Sequence, residues 1–132
     1  MKLKTVGFYK EMSQGRETDP SIFDSIHKED ACIIEKICKY LNQGVAFIIS
    51  PGSLQDVIQP EKGISGVATS YTDGEWLWPG DLSYYVRQYA LKLPEKFVES
   101  MQKNGWKVSF ELNEEDCDTV EIDGVNIFDN EE

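Results

Sequence analysis

The sequence predicts a single α+β domain with a mainly antiparallel sheet, two β-hairpins and three to four helices. Three observations lead there. Helical and strand patterns follow one another in mixed order rather than in strict alternation, which points to α+β packing. Two Asp-Gly pairs, Asp73-Gly74 and Asp123-Gly124, stand between apolar-rich runs as hairpin turns do. The length of 132 residues, with 40% hydrophobic and 28% charged, suits one core and leaves little room for a second domain.

The elements follow in order. Thr5 to Tyr9 reads as a short strand that Leu3 extends, and the polar run from Ser13 to Thr18 reads as a loop. Asp19-Pro20-Ser21 has the form of a helix start, with Asp19 as cap and Pro20 in the first turn, so a short helix is expected to about His27. A longer helix is expected from about Glu29 to Asn42, because Ala31, Ile34, Ile37, Cys38 and Leu41 recur on one face. Gly44 is expected to end it in the left-handed conformation. Val45 to Ile49 is continuously apolar and reads as a buried strand, central in the sheet. Ser53 to Ile58 reads as one helical turn.

Ser65 to Trp78 reads as a hairpin with Asp73-Gly74 as a two-residue turn. That register sets Tyr71 opposite Trp76 and Thr69 opposite Trp78, so Tyr71, Trp76 and Trp78 form a wall on one face. Asp81 is expected to cap a helix whose stripe is Leu82, Tyr85, Val86 and Tyr89, with Tyr84 and Arg87 on its outer side. Leu93-Pro94 opens another helix, with Phe97, Val98 and Met101 inward and Asn104-Gly105 as its stop. Trp106, Val108, Phe110 and Leu112 alternate with polar residues as in a half-buried strand. Val120 to Phe128 repeats the hairpin logic around Asp123-Gly124.

Charge is distributed unevenly. The chain has 24 acidic and 13 basic residues, net −11, and ten of the acids with no base fall between Glu111 and Glu132. The remaining 14 acids and 13 bases leave residues 1–110 at net −1. An acidic hairpin and tail from about residue 111 repels phosphate backbones and anionic lipid, so neither nucleic acid nor membrane is an expected partner. It attracts a basic protein, chiefly through faster encounter. The plain alternative is a solvated end that aids solubility. No apolar run approaches a membrane span, Met1-Lys2-Leu3-Lys4 lacks a signal-peptide core, and three cysteines make no disulfide framework. A cytoplasmic protein is expected.

The residues offer little for bond-making chemistry. The single histidine, His27, sits in a polar run and reads as a surface residue. Cys32 and Cys38 lie about 240° apart around their helix and cannot share a metal. Glu114, Glu115, Asp116 and Asp118 lack the glycine and closing glutamate of a calcium loop. No enzyme activity, metal or cofactor is therefore expected. The aromatic wall of Tyr71, Trp76 and Trp78 is either core or the lining of a small-molecule pocket. Tyr84 and Arg87, of types common at interfaces, are candidate exposed anchors.

Tyr40-Leu41-Asn42-Gln43-Gly44, Thr72-Asp73-Gly74-Glu75-Trp76-Leu77-Trp78-Pro79, Asp81-Leu82-Ser83-Tyr84-Tyr85-Val86 and Leu93-Pro94-Glu95-Lys96-Phe97 occur in that order. The series resembles a group of small bacterial proteins with a YLxxG … TDGxWxWPxxLxYYVxxYxxxLPxxF pattern, over roughly residues 40 to 106. Some members look like immunity proteins of toxin systems. The resemblance implies an immunity-type inhibitor of a toxin; the acidic end, Glu111 to Glu132, lies outside the shared pattern and adds the expectation of a basic partner, so the reading is a non-enzymatic binder that occludes it. The candidate contacts are Tyr84, Arg87, Glu114, Glu115, Asp116, Asp118, Glu121 and Asp123. The alternative is a small-molecule-binding domain built on the aromatic wall.

Overall fold

The computed structural model describes residues 1–113 and 120–126. Its strands are β1 (Lys2–Thr5), β2 (Val45–Ile48), β3 (Ser53–Gln55), β4 (Ile64–Val67), β5 (Ser70–Thr72), β6 (Trp76–Pro79), β7 (Glu121–Ile122) and β8 (Val125–Asn126). Its helices are α1 (Ala31–Leu41), α2 (Leu82–Tyr89) and α3 (Glu95–Lys103), with 3-10 turns at Ile22–Asp24 and Pro60–Lys62. Six strands join in the order β2-β5-β6-β1-β7-β8, and β3 and β4 make a separate two-stranded ribbon. Pairing is antiparallel except at β1, which runs parallel to both β6 and β7. This is the predicted α+β class, a single domain with a mainly antiparallel sheet. Among the described residues no helix is long and apolar enough to cross a membrane.

The core lies between one face of the sheet and the three helices. Phe97 of α3 is fully buried, with ring centroids 5.2 Å from Trp76 and 5.5 Å from Trp78. Tyr40 of α1 meets Trp78 at 6.2 Å and Phe97 edge-on at 6.4 Å. Such tilted contacts add roughly 0.5–1.5 kcal/mol each beyond area burial. The predicted α2 stripe of Leu82, Tyr85, Val86 and Tyr89 is buried throughout. On the opposite face a smaller cluster of Leu3, Leu77 and Val120 binds β1, β6 and the start of the C-terminal hairpin.

Several expectations are corrected. The first hairpin is shorter than residues 65–78, because β4 pairs with β3 and leaves β5 and β6 to face each other. Its register puts Tyr71 opposite Trp78 and Thr72 opposite Leu77. Asp73 does not take positive φ as a two-residue turn requires. Instead its carboxylate accepts the amides of Glu75 and Trp76 at 2.9 and 2.8 Å, and Tyr40 donates its hydroxyl to the same group. This side-chain turn lengthens the loop, yet the register moves by two residues, so Tyr71, Trp76 and Trp78 still share a face. At Asp123-Gly124 both φ angles are positive, 54° and 86°, and that hairpin has its predicted turn, with Ile122 opposite Val125.

The Val45 strand lies at the sheet edge rather than its centre, with Ile48 and Ile49 42% and 78% exposed. Ser53–Gln55 is a strand, not a helical turn. No strand forms from Trp106 to Leu112. Trp106 takes φ 61°, and Gln43 satisfies this backbone with its side chain, donating to the Trp106 carbonyl at 3.2 Å and accepting from the Val108 amide at 3.1 Å. The apolar residues of that run are nonetheless half-buried and the intervening ones exposed, so the alternation reported burial without a ladder. The helix expected to reach His27 is only the 3-10 turn Ile22–Asp24, capped by Ser21, because Asp19 turns back to the Arg16 amide. In α1 Ala31 is exposed, and Tyr40 takes up buried space that the predicted stripe did not assign to it.

Gly44 does not have the left-handed conformation expected of a helix stop. A Cβ there would stand 2.5 Å from Trp78 Cζ2 and 2.9 Å from Tyr71 Cβ, so the glycine admits the indole. Gly44→Ala is expected to lower unfolding free energy by about 1–3 kcal/mol through overpacking. Urea unfolding checks this; an unchanged midpoint would contradict it.

Candidate functional site

The predicted site residues fall in three places. The first is the aromatic wall. Trp78 is 1% exposed and Trp76 8%, whereas Tyr71 is half-buried. The three rings do not line one pocket. Tyr71 and Trp78 border a cleft of about 140 Å³ with Leu41 and Ser83. Trp76 borders a different cavity of about 180 Å³ with Tyr9 and Asp19. Lys4 holds its ammonium 4.5 Å from the Trp76 ring centre.

The second place is α2. Arg87 is exposed and ion-paired with Glu35 at 2.8 Å. Tyr84 is not the open anchor its position outside the apolar stripe suggested. It is half-buried, its ring packs edge-on to Tyr85, and its hydroxyl donates to Asp56 at 2.7 Å.

The third place is the acidic end. Glu114, Glu115, Asp116 and Asp118 lie outside the described residues. Glu121 is half-buried on β7. Asp123 accepts the Thr5 amide at 2.8 Å and the Thr5 hydroxyl at 2.5 Å, and pairs with Arg16 at 3.5 Å. Burial pushes its pKa up, but the Thr5 hydrogen bonds and the Arg16 charge outweigh that and hold it below the usual range. Thus Asp123 fastens the hairpin to β1. Tyr84 and Arg87, three residues apart on α2, are committed to different partners, Asp56 and Glu35.

Sequence reasoning missed the most elaborate polar site. Asp56 is completely buried, and one oxygen accepts the amides of Ile58 and Gln59 at 2.7 and 2.8 Å. The other accepts the hydroxyls of Tyr84 and Tyr89 at 2.7 and 2.6 Å. Burial raises its pKa, yet these four donors more than offset it and the net direction is down. The two tyrosines shift the other way: burial, then the bond to Asp56, pushes Tyr84 up to about 12 and Tyr89 also upward. They remain protonated donors. A signal was present in Tyr84 and Tyr89, since buried hydroxyls require partners.

Asp81 has the sequence position of a helix cap. It holds the cap position of α2, but its side chain accepts no helix amide and is 3% exposed. One oxygen accepts the Ser65 hydroxyl at 3.0 Å. Burial, reinforced by the charge of Asp56 and only partly opposed by Ser65, pushes its pKa up. Gly66 lets β4 pass this close, since a Cβ there would meet Asp81 Cα at 2.8 Å. His27 is exposed, as expected, at φ 61°, with its ring 6.4 Å from Tyr89. Cys32 is exposed and Cys38 buried against α2, both as free thiols.

No family model, no curated protein and no solved structure matches the chain.

The two buried aspartates have opposite pH signatures. The depressed Asp56 contributes stability above the unfolded carboxyl pKa, about 3.9, and loses it as pH falls through its lower folded value. The raised Asp81 costs stability as pH climbs through its folded value. Asp56→Asn is expected to lower stability by about 1–3 kcal/mol at neutral pH, because an amide NH2 meets groups that are already donors. The loss shrinks as pH falls below the unfolded carboxyl pKa, about 3.9, and through the lower folded value, where the native protein gives up this contribution. Unfolding free energies at neutral and acid pH test this; an equal loss at both would contradict it.

Proposed function

We propose that this chain is a non-enzymatic protein-binding module that recognises a basic partner, in the manner of an immunity or antitoxin-type inhibitor. The observation that carries the reading is the charge block: ten acids and no base within the last 22 residues. Its described part is fixed to the body. The Glu121 amide donates to the Met1 carbonyl and the Asp123 amide to the Leu3 carbonyl, both at 2.8 Å. The β7–β8 hairpin thus gives the acidic region a fixed point of attachment, and its excess charge favours electrostatic steering and complementarity toward a basic partner. The resemblance of residues 40 to 106 to small bacterial proteins that look like immunity proteins supports the same reading.

The alternative, a small-molecule domain built on the aromatic wall, draws support from the cleft beside Tyr71 and Trp78. That cleft holds about 140 Å³, against roughly 300 Å³ or more for common ligand pockets. Its indole is also committed to the core, so the size and packing favour the protein-binding reading.

Capture on the immobilised chain from extracts of its native host, followed by a salt gradient, tests the proposal. The expected result is a basic protein released as salt rises. Its affinity for the variant Glu114→Gln, Glu115→Gln, Asp116→Asn, Asp118→Asn is expected to be about tenfold weaker at low salt, mainly through slower association. Binding indifferent to salt and to these changes, or recovery of no protein, contradicts it.

A further inference from the structure

A cavity of about 280 Å³ opens beside the β3–β4 ribbon. Glu11, Gln14, Gln55 and Asp81 supply most of its polar lining, and Met12 and Leu54 much of its apolar wall; among the described residues no lysine, arginine or histidine borders it. Two of its lining residues each carry a buried acceptor with no hydrogen-bond partner among the described residues, Asp81 Oδ1 and Gln14 Oε1. The other acidic lining residue is already committed, since Glu11 accepts the Ser21 hydroxyl at 2.5 Å and the Ile22 amide at 2.8 Å. Gln14 is held by its other end, donating Nε2 to the Ala68 carbonyl at 2.7 Å, which leaves its oxygen as the free group.

The contrast with Asp56 is instructive. Among the described residues Asp56 has four donors, whereas Asp81, 3% exposed, has only Ser65 and makes no cap bond to α2. A buried carboxylate left with one donor and no countercharge is costly, and so is an unmade amide acceptor. A cation with several N–H donors and an apolar stem would answer both acceptors. An alkylammonium group offers three donors and a positive charge.

We infer that this cavity is a binding site for a small protonated primary amine, whose ammonium donates to Asp81 Oδ1 and Gln14 Oε1 while its alkyl chain lies against Met12 and Leu54. The amine is either a free metabolite or a lysine side chain, which present the same chemistry. A bound ammonium would also reverse the upward push on the Asp81 pKa. The inference stands apart from the acidic C-terminal end and does not depend on a protein partner there.

Titration of the full chain with n-butylammonium chloride, followed by amide chemical shifts, tests it. Sodium chloride at equal ionic strength, tetramethylammonium chloride and n-butanol serve as controls for salt, for charge without N–H donors and for the alkyl chain. Saturable shifts at residues around the cavity are expected, with at least about tenfold weaker binding of tetramethylammonium and of butanol. Nα-acetyl-lysine methylamide separates the sources: comparable affinity favours a lysine side chain, and binding of butylammonium alone favours a free amine. Asp81→Asn is expected to weaken butylammonium at least about tenfold while keeping the Ser65 contact. If that variant fails to fold, Gln14→Leu, at a half-buried position, carries the test with a several-fold loss. Shifts no larger than those from sodium chloride, or unchanged affinity in the folded variants, overturn the inference.

Discussion

The fold depends on where a four-residue strand is placed. β1 stands in the middle of the six-stranded sheet and pairs parallel on both sides, with Lys4 and Thr5 beside β6 and Lys2 and Leu3 beside β7. Parallel neighbours cannot be joined by tight turns, so both contacts close long loops in the chain. The cost is offset locally: Leu3 is 1% exposed against Leu77 and Val120, and Thr5 takes both oxygens of Asp123. The N-terminus therefore joins the helix-covered half of the sheet to the acidic hairpin. Without β1, β7 and β8 would be a ribbon of two residues a side, too short to persist alone.

The aromatic core and the buried acids are parts of one arrangement. Tyr40 packs its ring on Trp78 and Phe97 and sends its hydroxyl to Asp73, which orders the loop before Trp76. Tyr89 packs on Tyr85 and sends its hydroxyl to Asp56, which ties the ribbon side of the molecule to α2. In both places a tyrosine supplies apolar area at one end and a hydrogen bond at the other, so helix position and loop geometry are set together. Asp81 departs from this pattern, because among the described residues only one of its oxygens is answered. A departure of that kind is a common mark of a functional position.

Local signals in the sequence were reliable where a single element sufficed. The α2 stripe, the helix expected from about Glu29 to Asn42 and the Asp123-Gly124 turn follow from spacing and turn chemistry, and the structure has them, the helix as Ala31–Leu41. The shared face of Tyr71, Trp76 and Trp78 survived an error in register because that error was even. What local signals could not supply was partner choice. Nothing in Val45 to Ile49 says that only one neighbouring strand will cover it, and nothing in Ser53 to Gln55 says that Ile64 to Val67 will pair with it. The same limit applied to side chains. Asp81 in front of an apolar stripe has the sequence of a cap, and only the approach of Ser65 and Gly66 from a distant strand turns it inward. Tyr84 looked exposed because its partner, Asp56, comes from a different part of the chain.

The claim on which the account turns is that the β7–β8 hairpin is mounted on the folded sheet through β1. Amide hydrogen exchange at Glu121 and Asp123, the donors to the Met1 and Leu3 carbonyls, tests this most directly. The account predicts protection at both amides, coming within about a factor of ten of that at the core amides of β6. Exchange at the rate of an unstructured chain, with β6 still protected, would contradict it.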